Sequence, residues 1–336
     1  MPGERIRRFP LLVLPLFLLC YGYGTIDVAD FYRLSAAPFD LNTDPGRQFL
    51  QSSPLPYILG FPVTRTLGPT VSFLIVIGGG LLLFAGALYR FAATRYPNYR
   101  NDALLMLLAT PLWIVMTQYI GKSDPFIIAF ALLLASASHP LVQVASACLV
   151  VLSHFEIGLL MLASAIFLRV VPLRTAMTGA TIGAVLVLAY LYFVLPSPPQ
   201  SRTDVGMLLL RESLAAVAAT PILHLIFTFG PFWLCVVAAW PLDWKWIVAC
   251  GATAVLASAT VDFTRVFTLV GLPLAIAVID RVMAARAAAG DAARPPAWVS
   301  ALPILVFFQA HLIGQYVYDS RVPELLSRLL DYDLRR

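Results

Sequence analysis

Charge is what this sequence has least of. Only 12% of its 336 residues are Asp, Glu, Lys or Arg, while 60% are hydrophobic and the mean hydropathy is +0.83. A soluble domain carries about 25% charged residues, so a water-soluble chain would have nowhere to put this much apolar surface, and a multi-pass membrane protein remains. Cysteine and histidine are scarce too. Cys20, Cys148, Cys235 and Cys250 lie inside apolar runs without C-x-x-C or Cys/His metal spacing, and read as small buried hydrophobes. His139, His154, His224 and His311 form no H-x-x-x-H pair, so metal catalysis by histidine is not expected.

Further absences narrow the reading. No small-x-small cleavage site follows Leu19-Cys20-Tyr21, so the basic start, Met1 to Arg8, leads into an uncleaved first span. Gly121-Lys122-Ser123 has Met116 where a phosphate-binding loop needs its upstream glycine, so a nucleotide P-loop is rejected. Internal repeats and heptads are missing, and the one biased tract, the Ala/Arg-rich stretch at 281–295, reads as a linker facing lipid headgroups. The net charge of +5 is topological, because membrane proteins gather Lys and Arg on one side. A nucleic-acid partner is not expected.

What is present is apolar runs. Taking about 20 residues per helical crossing, the chain reads as an all-α membrane protein of about 11 transmembrane helices in a single polytopic domain, 1–336. The spans fall near 9–24, 70–92, 103–120, 125–138, 140–153, 157–171, 175–195, 216–239, 246–261, 265–280 and 298–318. With the N-terminus inside, the inner segments collect Arg90, Arg95, Arg100, Arg169, Arg174, Lys245, Arg281, Arg286 and Arg294, with few acids: Glu4, Asp102, Asp243, Asp280 and Asp291. The spans at 125–138 and 140–153 must exist together or not at all, because losing one would invert everything after it. The remaining acids fall outside, in a long first loop (25–69) broken into short helices by Pro45, Pro54, Pro56 and Pro62, and in the later turns. On this reading the inner side has no comparable cluster of mixed charges. The C-terminal segment, 322–336, alternates apolar and charged residues at helical spacing and reads as an amphipathic helix in the outer interface.

Candidate chemistry therefore lies in the outer connections. Asp27 and Asp30, in Thr25-Ile-Asp-Val-Ala-Asp-Phe-Tyr32, sit one helical turn apart. Two like charges there cost some helix stability, and the pair suits a base for a hydroxyl proton or oxygen ligands for a divalent metal; the plainer reading is a solvated cap. In Gly121-Lys-Ser-Asp-Pro125, Lys122 could meet a phosphate, while Asp124 and Pro125 more simply start a helix as cap and first-turn residue. His154 and Glu156, two apart, do not share a helix face, but in a turn both could point into a cavity. Asp262 and Arg265 are either an i,i+3 ion pair that makes buried charge tolerable or a phosphate fork, Arg265, oriented by Asp262. Arg202, in the loop from Pro196 to Ser213, is a further outer cation.

A short first span, a long outer loop opening on paired acids and broken by prolines, and polar outer turns after many spans resemble the GT-C class of integral-membrane glycosyltransferases. The resemblance implies a polyprenyl-phosphate-linked sugar donor, a lipid or glycan acceptor, and transfer on the outer face with inversion. Asp27 and Asp30 match the family's first-loop acidic position, as D-x-x-D where adjacent or one-apart acids are commoner, and Lys122-Ser-Asp-Pro125 looks like the polar turn after the third span. The large C-terminal soluble domain of some members is lacking. One of the two acids would be the base, and Lys122, Arg202 or Arg265 would stabilise the leaving phosphate, with Asp124, His154, Glu156 and Asp262 completing the substrate site. No cofactor is required by this reading, although a divalent metal at the acidic pair fits it. The rivals are a lipid-linked glycan polymerase or ligase, relying on outer arginines, and a transporter or flippase, which would show mid-span charges or broken helices in matching halves.

Overall fold

A computed structural model describes residues 28–41, 50–112, 115–116, 121–195, 211, 214–215, 217–218, 224, 229–260, 262–289, 298–299, 302, 310–313 and 316–319. The first expected span (9–24), residues 216, 219–223 and 225–228 of the eighth, and the C-terminal segment 322–336 lie outside the described residues, as do Asp27 and Arg202.

The first loop is built of short helices, as its sequence suggests. Helix α1 (Val28–Ala36) is followed by a single 3-10 turn, Leu50–Ser52, and by α2 (Pro54–Leu67). Pro54 starts α2, where a missing N–H costs nothing. Pro62, expected as a breaker, lies inside α2 instead. The chain then enters α3 (Pro69–Arg95), whose 27 residues run about 40 Å at 1.5 Å per residue, more than the roughly 30 Å of a hydrocarbon core. Helix α4 (Arg100–Leu108) begins the third expected span but stops at a turn over 109–111, where Pro111 disfavours helical backbone at Thr110.

Four apolar helices occupy the places read from the sequence: α5 (Asp124–Ser136), α6 (Pro140–Ser153), α7 (Phe155–Phe167) and α8 (Leu173–Val194). Only α8, with 22 residues, is long enough to cross by itself; the others have 13 or 14. After α9 (Trp233–Ala238) and α10 (Trp244–Ser258), the tenth expected span is two helices, α11 (Phe263–Val270) and α12 (Leu272–Ala288), bent by 53°. The bend has a cause on each side. Pro273 removes an N–H from the first turn of α12, and at Gly271 a Cβ would run into the Phe267 carbonyl. By length and composition, then, α3, α8 and the bent α11–α12 pair could each cross a membrane. Eleven crossings are not shown among the described residues.

Helix α5 lies between α3 and α6 and is buried on almost every side, as its unbroken apolar sequence requires. The tightest crossing is α6 on α8. There Gly179 and Gly183, one turn apart on α8, lie against α6: a Cβ on Gly183 would stand 2.8 Å from the Cys148 carbonyl oxygen, and one on Gly179 would strike that of Val144. Small residues four apart let two helix backbones close without a hydrophobic driving force. The outer faces stay apolar. Leu82, Val185, Tyr192, Phe193 and Val255 are each more than half exposed, and such surface suits lipid and not water.

The eleventh expected span, 298–318, needs correcting. Ala310–Ile313 and Tyr316–Asp319 are β1 and β2, paired antiparallel with His311 opposite Tyr318, and β1 runs beside α11. Tyr316, Val317 and Tyr318 are strand-favouring residues, and apolar character alone does not tell such a run from a helix. A two-stranded ribbon leaves backbone groups unpaired at its edges, so it does not replace a lipid-facing span.

Near the C-terminal ends of α3 and α12, polar groups form a built network. Arg95 grips Asp280 through Nε (2.9 Å) and Nη2 (2.7 Å), and its Nη1 donates to the Ala135 carbonyl at 2.9 Å. The Tyr96 hydroxyl donates to Asp280 at 2.7 Å. Burial, with the Asp280 carboxylate beside it, pushes the Tyr96 phenol well above its ordinary range, so it stays a donor. Arg286 pairs with Asp102 and stacks 4.6 Å over the Tyr99 ring. The expectation that mixed-charge clusters belong to the other end alone is therefore wrong. Single acids scattered through the sequence meet basic partners that only the fold brings to them.

Candidate functional site

Three turns meet at the end of the bundle where α5 and α11 begin. The first is Gly121-Lys122-Ser123, where Gly121 takes φ +113, backbone that side chains disfavour, and Ser123 precedes α5. The second is His154, which ends α6 and begins α7 in extended backbone. The third is Asp262, at the head of α11. The first loop supplies a wall through Leu50, Ser53 and Tyr57. Together Leu50, Ser53, Tyr57, Lys122, Ser123, His154 and Arg265 enclose a cavity of about 140 Å3.

Arg265 is the centre of the electrostatics. Its Nε and Nη2 each stand 2.6 Å from an oxygen of Asp124, a two-pronged pair buried on both sides. Asp262 approaches its Nη1 at 3.8 Å and lies 4.0 Å from Lys122 Nζ. Both sequence readings of Arg265 thus change. Its principal partner is Asp124, 141 residues away, and Asp262 is a second, looser one shared with Lys122. Asp124 is not the helix cap either: Ser123 holds that position without a side-chain cap bond, while the Asp124 carboxylate turns to Arg265. Pro125 keeps its expected first-turn place.

His154 lines the cavity, and its Nδ1 lies 3.5 Å from Glu156 Oε2, with Glu156 behind it and not in the wall. Asp30 is on α1, which packs on α2, and its neighbour Phe31 meets the Tyr57 ring at 6.1 Å. Asp30 itself does not line the cavity. Lys122, Asp124, His154, Asp262 and Arg265 are thus gathered in one place, with Glu156 beside His154.

No protein-family model, curated protein or solved structure matches the chain. The site is accordingly judged on its own chemistry. Two cations, Lys122 and Arg265, face two carboxylates, Asp124 and Asp262, so an incoming anion meets local charge that is already balanced. Among the described residues no three His, Cys, Asp or Glu side chains converge as a metal set.

Sequence reasoning did not single out Gln51, Ser53 and Tyr57. Gln51 is 1% exposed, and among the described residues its side-chain amide has no hydrogen-bond partner on nitrogen or oxygen; the Ser123 hydroxyl, in the cavity wall, is likewise buried and without one. Buried polar groups are nearly always bonded, so the Ser123 hydroxyl marks the cavity wall as a place that suits something polar. The signal was readable: Gln51-Ser-Ser-Pro-Leu-Pro-Tyr57 is a polar run between prolines in an otherwise apolar chain.

Proposed function

We propose that the chain is a multi-pass membrane glycosyltransferase that moves a sugar from a polyprenyl-phosphate-linked donor to a lipid or glycan acceptor at the outer face, with an inside N-terminus. The observation that carries this is the cavity at the head of α5 and α11, where Lys122 and Arg265 stand beside carboxylates and the buried Ser123 hydroxyl has no bonding partner among the described residues. The apolar faces of α3 and α8 support it, since the donor's polyprenyl tail needs a hydrocarbon environment.

In the reaction the acceptor oxygen bonds to the sugar's anomeric carbon as the bond from that carbon to the phosphate oxygen breaks. The polyprenyl phosphate leaves with the electron pair, and the acceptor proton passes to a carboxylate. Lys122 takes the developing phosphate charge. Arg265, held by Asp124, keeps its fixed orientation and offers its Nη1 side towards Asp262. A first-loop acid, Asp27 or Asp30, is the base in this reading. About 140 Å3 admits a phosphate and a few waters at roughly 30 Å3 each, so the wall of Leu50, Ser53 and Tyr57 draws back to admit the sugar.

The test is release of polyprenyl phosphate from polyprenyl-phosphate sugars by the reconstituted protein, with and without acceptor. Turnover that disappears in Lys122→Gln while the protein stays folded supports the proposal; no turnover with any hexose or pentose donor overturns it. One observation favours a transporter instead: the α11–α12 break at Gly271. Substrate-dependent uptake into vesicles without chemical change would establish that second reading.

A further inference from the structure

At the other end of the bundle lies a larger cavity, about 410 Å3, walled by Arg169, Lys245, Arg281, Asp243, Asp280 and Trp246 among others. Its size falls within the roughly 300–1,000 Å3 of ligand sites. Its charges do not cancel. Asp280 is committed to Arg95 and Tyr96, and Asp243 accepts from the backbone N–H of Lys245 at 3.2 Å, capping α10. Among the described residues no acid pairs with Arg169, Lys245 or Arg281. With Asp280 cancelled by Arg95, three cations face one acid.

One of those cations is held by a backbone carbonyl, and another stands on backbone that side chains disfavour. Arg281 Nε donates to the Ala239 carbonyl at 2.8 Å, which fixes the plane of its guanidinium. Arg169 has φ +58, in the left-handed region, just after α7. The Val170 N–H donates to the Ala165 carbonyl at 2.8 Å, the bond that closes a helix end whose left-handed residue is usually glycine. An arginine here costs backbone energy that glycine would avoid, so its side chain has a reason to be at this spot. Around the rim, Trp240, Trp244 and Ile247 are each more than half exposed, and the Trp244 ring meets Phe167 edge-on at 6.0 Å. Exposed tryptophans beside cations are what a membrane–water boundary collects.

We propose that this cavity binds the phosphate of an anionic phospholipid, with Arg169, Lys245 and Arg281 around the phosphate oxygens and the acyl chains along the exposed face of α10 at Trp244, Ile247 and Val248. The site rests on membrane embedding alone and is independent of sugar transfer. The exposed aromatic and aliphatic rim favours a lipid over a soluble phosphate, which would gain nothing from it.

The experiment uses the full chain in phosphatidylcholine vesicles with spin-labelled phosphatidylglycerol or spin-labelled phosphatidylcholine, reading the motionally restricted fraction of each. The wild type should hold phosphatidylglycerol in preference to phosphatidylcholine. Lys245→Gln and Arg169→Gly should each weaken that preference about fivefold, the worth of one cation near an anionic headgroup. Arg169→Gly restores the residue that this backbone prefers, so its melting temperature should not fall and poor folding cannot imitate the result. Arg174→Gln, an exposed charge outside the cavity wall, should leave the preference unchanged, and inorganic phosphate should not compete. Equal retention of the two lipids, or a preference that survives both cavity variants, overturns the site. A loss as large in Arg174→Gln would reduce it to bulk surface charge, and displacement by inorganic phosphate would assign the cavity to a soluble anion; either result also overturns the lipid proposal.

Discussion

Removing the Arg265 guanidinium while keeping Asp124 strands a carboxylate whose side chain is 1% exposed. Both of its oxygens bond Arg265 at 2.6 Å, and no other side chain is recorded as bonding it among the described residues. Breaking a buried pair from one side costs about 3–5 kcal/mol. At roughly 2 °C per kcal/mol for a chain of this size, Arg265→Gln should lower the melting temperature by about 6–10 °C. Asp124→Asn should cost less, about 1–3 kcal/mol, because Asp262 still stands 3.8 Å from Arg265 Nη1. The double variant Arg265→Gln/Asp124→Asn should recover most of the loss, since neither charge is then stranded. The assay is thermal unfolding of all variants in one detergent, monitored by the fraction that stays monodisperse. The alternative double, Arg265→Gln/Asp262→Asn, leaves Asp124 stranded and should recover little. Equal rescue by both doubles, or an Arg265→Gln protein that melts with the wild type, would refute the pairing.

Three further outcomes follow from other parts of the molecule. Gly179→Ala should destabilise the α6–α8 crossing by about 1–3 kcal/mol, while Gly251→Ala, with nothing within 4 Å of its added methyl, should not lower the melting temperature; equal melting of the two would mean that α6 and α8 do not cross closely. If a first-loop acid is the base, Asp27→Asn or Asp30→Asn should lower turnover by about 10²–10⁴-fold at unchanged protein yield, and wild-type turnover in both would move the base to Asp262. With the endogenous cysteines replaced, Lys122→Cys and Arg174→Cys should react with an impermeant maleimide from opposite sides of sealed vesicles, and labelling from one side would break the topology.

Much of the fold was legible because length and apolar composition report membrane-scale helices directly. The long runs at 70–92 and 175–195 became α3 and α8, and Pro140 marked the start of α6 to the residue. Length was lost at the turns: Ala137 and Ser138 fall outside α5, and 168–171 outside α7, because a tight reversal takes residues from a run that hydropathy alone joins to its helix. Burial in protein and burial in lipid also select the same apolar residues, so composition could not show that α5 is enclosed by its neighbours. The Gly179–Gly183 spacing was a readable signal of close packing. The β1–β2 ribbon was readable only in part: Tyr316, Val317 and Tyr318 favour a strand, but the apolar run before them does not by itself tell strand from helix.

The site was legible as a collection of residues and illegible as a set of pairs. Polar groups in an apolar chain are conspicuous, which is why Lys122, Asp124, His154, Asp262 and Arg265 all stood out before their geometry was known. Spacing then favoured Asp262 for Arg265, because three residues on a helix make neighbours. The fold favours Asp124 for a geometric reason. The carboxylate three residues back approaches the guanidinium at 3.8 Å from Nη1, whereas the two-pronged bond is made on the Nε–Nη2 edge. A separate element, the first turn of α5, presents the carboxylate that fits that edge. The consequence for chemistry is that Arg265 arrives already neutralised on its strongest edge, with Asp262 on another. If the proposed donor binds here, its phosphate would compete with Asp262 for both Lys122 and Arg265, and Asp262 would have to shift to admit it. That shift would turn a carboxylate away from two cations towards the cavity mouth, where an acceptor hydroxyl would have to stand.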